Sequence, residues 1–202
     1  MVKGESRMPT TPALGLAVLT ICMMSGGVVA AETIRDEATG LSLSAPDGYA
    51  IERGELPPAV HAAARFSVQR PADPASTGCT VDAQILPPVD ATTQGLVRLL
   101  RKREGETAAW RDKALLQIMS SVSVQSNRAY SEGGMEALQV DGWPRQGNAS
   151  STSQIDRTKQ VRIVVLKTDQ GYVNITCRAN AEAFPARIAE FEQLVRSVRM
   201  AR

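Results

Sequence analysis

The sequence predicts an α+β domain: a mostly antiparallel sheet covered by helices on both faces. Three observations predict it. Short alternating stretches separated by turns recur along the chain, as in Leu41-Ser42-Leu43-Ser44 and in Tyr172 to Cys177. Such period-two alternation marks strands with one buried face. Arg162-Ile163-Val164-Val165-Leu166 is apolar on both faces at its centre, and a strand of that kind needs cover on both sides of its sheet. Near the C-terminus, Phe184, Ile188, Phe191, Val195 and Val198 follow one another at steps of four, three, four and three. That is the spacing of an amphipathic helix packed on a sheet.

The chain opens MVKGESRMPTTPALGLAVLTICMMSGGVVAAE. Lys3 and Arg7 precede an apolar run from Ala13 to Met24, and small residues follow it up to Ala31. Charge, a short apolar core and then small residues is the order of a secretory signal. The run is shorter than the roughly 20 apolar residues that a membrane span needs. Residues 1–30 are therefore read as a signal peptide cleaved after Ala30, with a retained anchor as the alternative. Bulky Ile21 stands before Cys22, where a lipoprotein signal carries a small residue, so Cys22 belongs to the signal rather than to a lipid anchor. Residues 31–202 then make a single domain, long enough for a sizeable core.

Within that domain, residues 32–53 read as a β-meander, with turns at Ala38-Thr39-Gly40 and Ala45-Pro46-Asp47-Gly48. Pro57 and Pro58 break the pattern, Ala59 to Ala64 reads as a short helix, and Arg65 to Gln69 as a strand. Residues 70–78 are a loop by composition. Cys79 to Leu86 is a strand with Val81, Ala83 and Ile85 on the cysteine's side. Two apolar stripes at helical spacing follow: Leu96, Val97, Leu99 and Leu100, then Trp110, Ala114, Leu115, Ile118 and Met119. Gly105 bends or breaks the segment between them. Val122 to Tyr130 and Met135 to Val140 form a hairpin around Gly133-Gly134. Residues 143–158 are polar without a pattern and read as a loop. Lys159 to Lys167 and Gly171 to Arg178 form a second hairpin. Pro185 is tolerated only in a helix's first turn, so the last helix starts near Asn180 to Phe184.

The stretches GLSLSAPDGYAIE (40–52) and GYVNITCRANAEAFPARIAEFEQLVRSVR (171–199) place turns, a strand and a closing helix as the Mog1/PsbP-like group does. The chain resembles that group over nearly all of residues 32–199. The resemblance implies an α/β/α sandwich. The group includes accessory subunits of photosynthetic complexes, a nuclear-transport factor and bacterial envelope proteins, so the resemblance also implies a scaffold for binding proteins rather than for catalysis. No functional residue is carried over from it.

Cys79 and Cys177 remain beyond the signal, and in an oxidising compartment two thiols become a disulfide. Their loop of about 98 residues corresponds to roughly 4–5 kcal/mol in the chain-entropy model. With 23 basic and 21 acidic residues and 4% aromatics, the chain gives no reason to expect a nucleic acid partner. No stretch after residue 31 is long and apolar enough to span a membrane. Metal-ligand spacing, a phosphate loop and GxSxG are all missing from the sequence, so no metal and no cofactor is expected. The basic run Arg98, Arg101, Lys102 and Arg103 is answered by Glu104 and Glu106 and reads as a solvated helix face. Asn148 and Asn174 sit in glycosylation sequons that a bacterial host would leave unused.

The expectation is a periplasmic or secreted bacterial domain, more a binder than an enzyme, that holds a protein partner in the cell envelope or supports assembly. Tyr130, Trp143 and Arg145, beside the polar loop at 143–158, are its candidate binding edge. The alternative is a small ligand-binding protein or hydrolase with a helix–sheet pocket near His61, the only histidine.

Overall fold

The computed structural model describes residues 32–56, 63–85, 109–146 and 154–201. The expected signal peptide, the Leu96–Leu100 stripe, the basic run at 98–103, His61, Asn148 and most of the helix expected over 59–64 lie outside them. The elements in chain order are β1 (Thr33–Arg35), β2 (Leu41–Ser44), β3 (Ala50–Arg53), β4 (Ala64–Gln69), β5 (Gly78–Ile85), α1 (Ala109–Met119), β6 (Val122–Glu132), β7 (Met135–Gln146), β8 (Gln154–Ile155), β9 (Lys159–Thr168), β10 (Gly171–Asn180), α2 (Phe184–Ser197) and β11 (Arg199–Met200).

The large sheet runs β3-β4-β5-β10-β9-β7-β6, with β8 paired to β7, and a small sheet runs β1-β2-β11. All their pairings are antiparallel. The expected meander over 32–53 is corrected here. β1 and β2 pair with each other, but β3 crosses to the large sheet and pairs with β4. Alternation identifies a strand's faces, not its neighbour. Ile51 is buried opposite Val68, and that burial draws β3 to the large sheet.

The polar loop expected over 143–158 is corrected at residues 143–146 and 154–155, while residues 147–153 lie outside the described ones. Trp143 to Gln146 continue β7, with Trp143 opposite Ser123 and Pro144 opposite Val122. Gln154 and Ile155 pair back onto Gln146 and Arg145. A turn follows at residues 156–158, where the Asp156 carboxylate accepts the Thr158 N–H (3.0 Å) and hydroxyl (2.6 Å). β7 is long because β6 is long. Its outer residues read as loop because half-exposed polar side chains carry no alternation.

One face of the large sheet is closed by α2. In register across β7, β9, β10, β5 and β4, the rows Ala137, Leu166, Val173, Ala83, Ala64 and Gln139, Val164, Ile175, Val81, Phe66 lie on that face. Phe184, Phe191, Leu194 and Val195 of α2 share one core with them. Deleting a buried phenylalanine from such a core costs about 3–5 kcal/mol. The helix begins at Phe184 with Pro185 in its first turn, as its sequence requires. The opposite face of β9 presents Val161, Ile163 and Val165, which join Leu138, Val140, Trp110 and Ile118 in a second core beside α1. Met119, expected on the α1 stripe, is exposed, as is Leu116. The packed stripe of α1 is narrower than its apolar residues suggest.

The charged face of α2 is tied down rather than simply solvated. The Tyr49 hydroxyl donates to Glu190 Oε2 (2.6 Å), while Arg187 donates to the Tyr49 oxygen (2.9 Å) and to both Asp73 oxygens (2.8 Å each). Arg70 pairs with Glu190 and lies 5.1 Å from the centre of the Tyr49 ring. Burial raises the Tyr49 phenol and the Glu190 carboxylate raises it further, to about 12, against the opposing pull of Arg187. Above pH 10 the unfolded phenol ionises while the folded one keeps its proton, so unfolding releases a proton and stability falls as pH rises through about 12. Urea unfolding at a series of pH values should show this decline, and Tyr49→Phe should flatten it. An unchanged slope in the variant would exclude this network as its source.

Candidate functional site

The α1 face of the sheet changes chemistry across its width. From β7 to β4, one cross-strand row reads Leu138, Val165, Asn174, Asp82, Arg65, and the next reads Val140, Ile163, Thr176, Thr80, Ser67. The β7 and β9 positions are apolar and pack with α1, whereas the β10, β5 and β4 positions are polar. Between α1 and this polar half lies a groove of about 800 Å³. Lys113 and Gln117 line it from α1, Asp82 and Gln84 from β5, Asn174 and Thr176 from β10. A recess of about 370 Å³ shares Asp82 and Thr176 and continues toward Thr77 and Arg178. The larger space falls in the range of ligand sites, roughly 300–1,000 Å³.

One wall is aromatic. The Trp110 indole N–H donates to Glu136 Oε2 (2.9 Å), its ring lies 6.1 Å from the Tyr172 ring, and the Lys167 ammonium sits 5.9 Å from its centre. These contacts hold Trp110 as a fixed wall, itself nearly fully buried. On the floor, Arg65 grips Asp82 with two hydrogen bonds (2.6 and 3.1 Å). Gln84, Asn174, Thr176, Lys113 and Arg178 make no side-chain hydrogen bond or ion pair with any described residue. Among the described residues nothing takes up their amides, hydroxyl and cations, and they stand on strands and a helix rather than on loops.

The floor is pinned from below. Cys79 and Cys177 are directly opposite one another on β5 and β10, in the row next to Thr80 and Thr176, and are joined by a disulfide with Cα atoms 4.0 Å apart. Both sulfurs point to the α2 side and are buried in its core. The two cysteines expected to pair do so, and they fix the two strands that carry the groove. Gly171 starts β10 at φ +154°, where an added Cβ would stand 2.0 Å from the Gln84 carbonyl oxygen. Only glycine lets β10 approach β5 this closely at the groove's rim.

The other sequence candidates fall elsewhere. Tyr130 lies on β6 opposite Ala137, while Trp143 and Arg145 lie farther along β7. Ala137 and Trp143 are six residues apart, about 20 Å along a strand, so Tyr130 and Trp143 do not converge on one site. Tyr130 packs against the main core with the Arg128 guanidinium 5.1 Å from its ring centre. Burial raises its phenol above the ordinary value. The Arg145 N–H closes the β6–β7 ladder on the Ser121 carbonyl (2.8 Å). Beside Tyr130 runs a polar chain, buried at Gln139 and Arg162, that the sequence did not announce. Arg162 donates to both Asp141 oxygens (2.7 and 3.1 Å) and to Glu192 (3.2 Å), Gln139 donates to Asp141 (2.9 Å), and Arg128 donates to Gln139 (2.9 Å).

The groove residues also escaped the sequence reading. Tyr172, Asn174 and Thr176 alternate visibly, as do Thr80, Asp82 and Gln84, and each set alone reads as a solvated strand face. Only their pairing, β5 against β10, makes one polar floor.

No protein-family model matches the chain, and no curated protein matches it. Among solved structures it is similar to the solution structure of cyanobacterial PsbP (CyanoP) from Synechocystis sp. PCC 6803, with 10% identity and a TM-score of 0.53, over 87% of this chain and 96% of that one. A protein of unknown function from Pseudomonas aeruginosa aligns with 11% identity and a TM-score of 0.38, over 85% of this chain and 98% of that one. The fold is PsbP-like: an antiparallel α+β domain with a buried disulfide. No helix among the described residues is long and apolar enough to cross a membrane.

Proposed function

We propose that this chain is a non-catalytic binding domain, periplasmic or secreted in a bacterium, which holds a protein partner in the groove between α1 and the polar floor of β5 and β10. The observation that carries the proposal is the set of unpaired amide, hydroxyl and cationic groups on a floor stapled from beneath. Rigid strands pre-organise such groups, so an occupant does not have to order them. Export is supported by the disulfide and by the charge–apolar–small order of residues 1–30. The sheet is read as an α/β/α sandwich, supported by β9 packing toward α2 on one side and α1 on the other. A small polar ligand in the same groove is the second reading, favoured by its volume.

The test is a photo-crosslinking amino acid at Lys113 and Arg178, irradiated in cells that make the protein. One discrete protein adduct from both positions, lost on Thr176→Arg, is expected. The same adducts from Ala186 on α2, or none from the groove, would exclude a protein partner at this site.

A further inference from the structure

The groove leaves one prominent feature unused: β6, the longer of the two outer strands of the large sheet. Among the described residues no strand pairs with its outer side, and Gln125 to Ala129 are exposed. An unpaired edge of this length is a template for another strand unless something blunts it. A register shift between Val124 and Ser126 breaks the near half, and bulges of this kind guard edges. The far half, Ser126 to Glu132, is unbroken. Its only charged side chains are Arg128 and Glu132, both on the face that carries Tyr130.

We propose that β6 pairs antiparallel with β6 of a second copy of this chain, about a two-fold axis at Tyr130. An isologous contact requires the strand to complement itself. An axis at Arg128 would oppose two arginines, and one at Glu132 two carboxylates, and like charges directly opposite are destabilising. The axis at Tyr130 sets Arg128 of each copy opposite Glu132 of the other and Tyr130 opposite Tyr130. Glu132 has no ion-pair partner among the described residues, so its carboxylate is free to take this role. The ladder covers 128–132 in each copy, close to the usual strand length of about 5–6 residues. The interface falls below the roughly 1,200 Å² of standard complexes, which makes the dimer a weak, concentration-dependent one.

The purified protein should sediment as a monomer–dimer equilibrium. Arg128→Glu and Glu132→Arg should each raise the dissociation constant about tenfold, and the double variant should restore it. Tyr130→Cys should form an intermolecular disulfide across the axis, and Gln125→Cys should not. A protein that stays monomeric at millimolar concentration would overturn the proposal. So would a dimer indifferent to both charge reversals that fails to cross-link through Tyr130→Cys. Neither Tyr130 nor Glu132 lines the groove, so this test stands apart from that of the groove.

Discussion

Replacing Cys79 and Cys177 together by alanine is expected to lower the unfolding free energy by roughly 4–5 kcal/mol, the chain-entropy value for so long a loop. The bridge spans a sequence separation of 98 residues, so without it the unfolded chain regains most of its freedom. The folded state loses little, because Cys79 and Cys177 are neighbours in the β5–β10 ladder and stay opposite each other without the covalent bond. Both cysteines are buried, at 4% and 1% exposure, so a reductant should reach the bridge only after the sheet opens. Urea unfolding of the variant against the oxidised protein measures the loss, and mass spectrometry under non-reducing conditions confirms the bridge. Equal midpoints would show that the staple contributes nothing.

Asp141→Ala is the second large effect, expected to cost about 3–5 kcal/mol, the usual penalty for stranding a buried charge. Arg162 is only 7% exposed, and Asp141 holds its guanidinium with two hydrogen bonds. Glu192 at 3.2 Å compensates in part, on a side chain that also faces solvent. Removing both partners should cost far less, because an apolar pair of similar volume strands no charge. Thermal unfolding of Asp141→Ala, Arg162→Met and Asp141→Leu/Arg162→Met should therefore place the double variant above Asp141→Ala. If the double variant is the least stable of the three, the pair contributes net stability, and the account of it as a buried charge held in check fails.

These two effects mark what the sequence revealed and what it hid. The disulfide was legible because only two cysteines lie beyond residues 1–30 and two cysteines leave one pairing. The closing helix was legible because Phe184, Phe191, Leu194 and Val195 repeat at helical spacing and are all buried. The partner of β3 was not, since Ile51 marks a buried face without naming the strand beside it. Arg162 looked like the polar start of an apolar strand, and nothing local says that Asp141, twenty-one residues earlier, will lie across from it. The groove was hidden for the same reason: Asn174 and Asp82 become neighbours only through the long-range pairing of β10 with β5. Tyr130, Trp143 and Arg145 read as one edge because loops beside a rigid sheet often carry function, but Trp143 and Arg145 lie within β7, and the strand keeps Trp143 apart from Tyr130.

Hydroxyl-radical footprinting, comparing the protein in the cells that produce it with the purified protein, tests the proposed binding face most directly. Protection of Ile85 and Tyr172 at the groove, with Tyr49 and Ile188 on the α2 side unchanged, is the predicted result. Equal labelling of the groove in both settings, or protection confined to the α2 side, would contradict it.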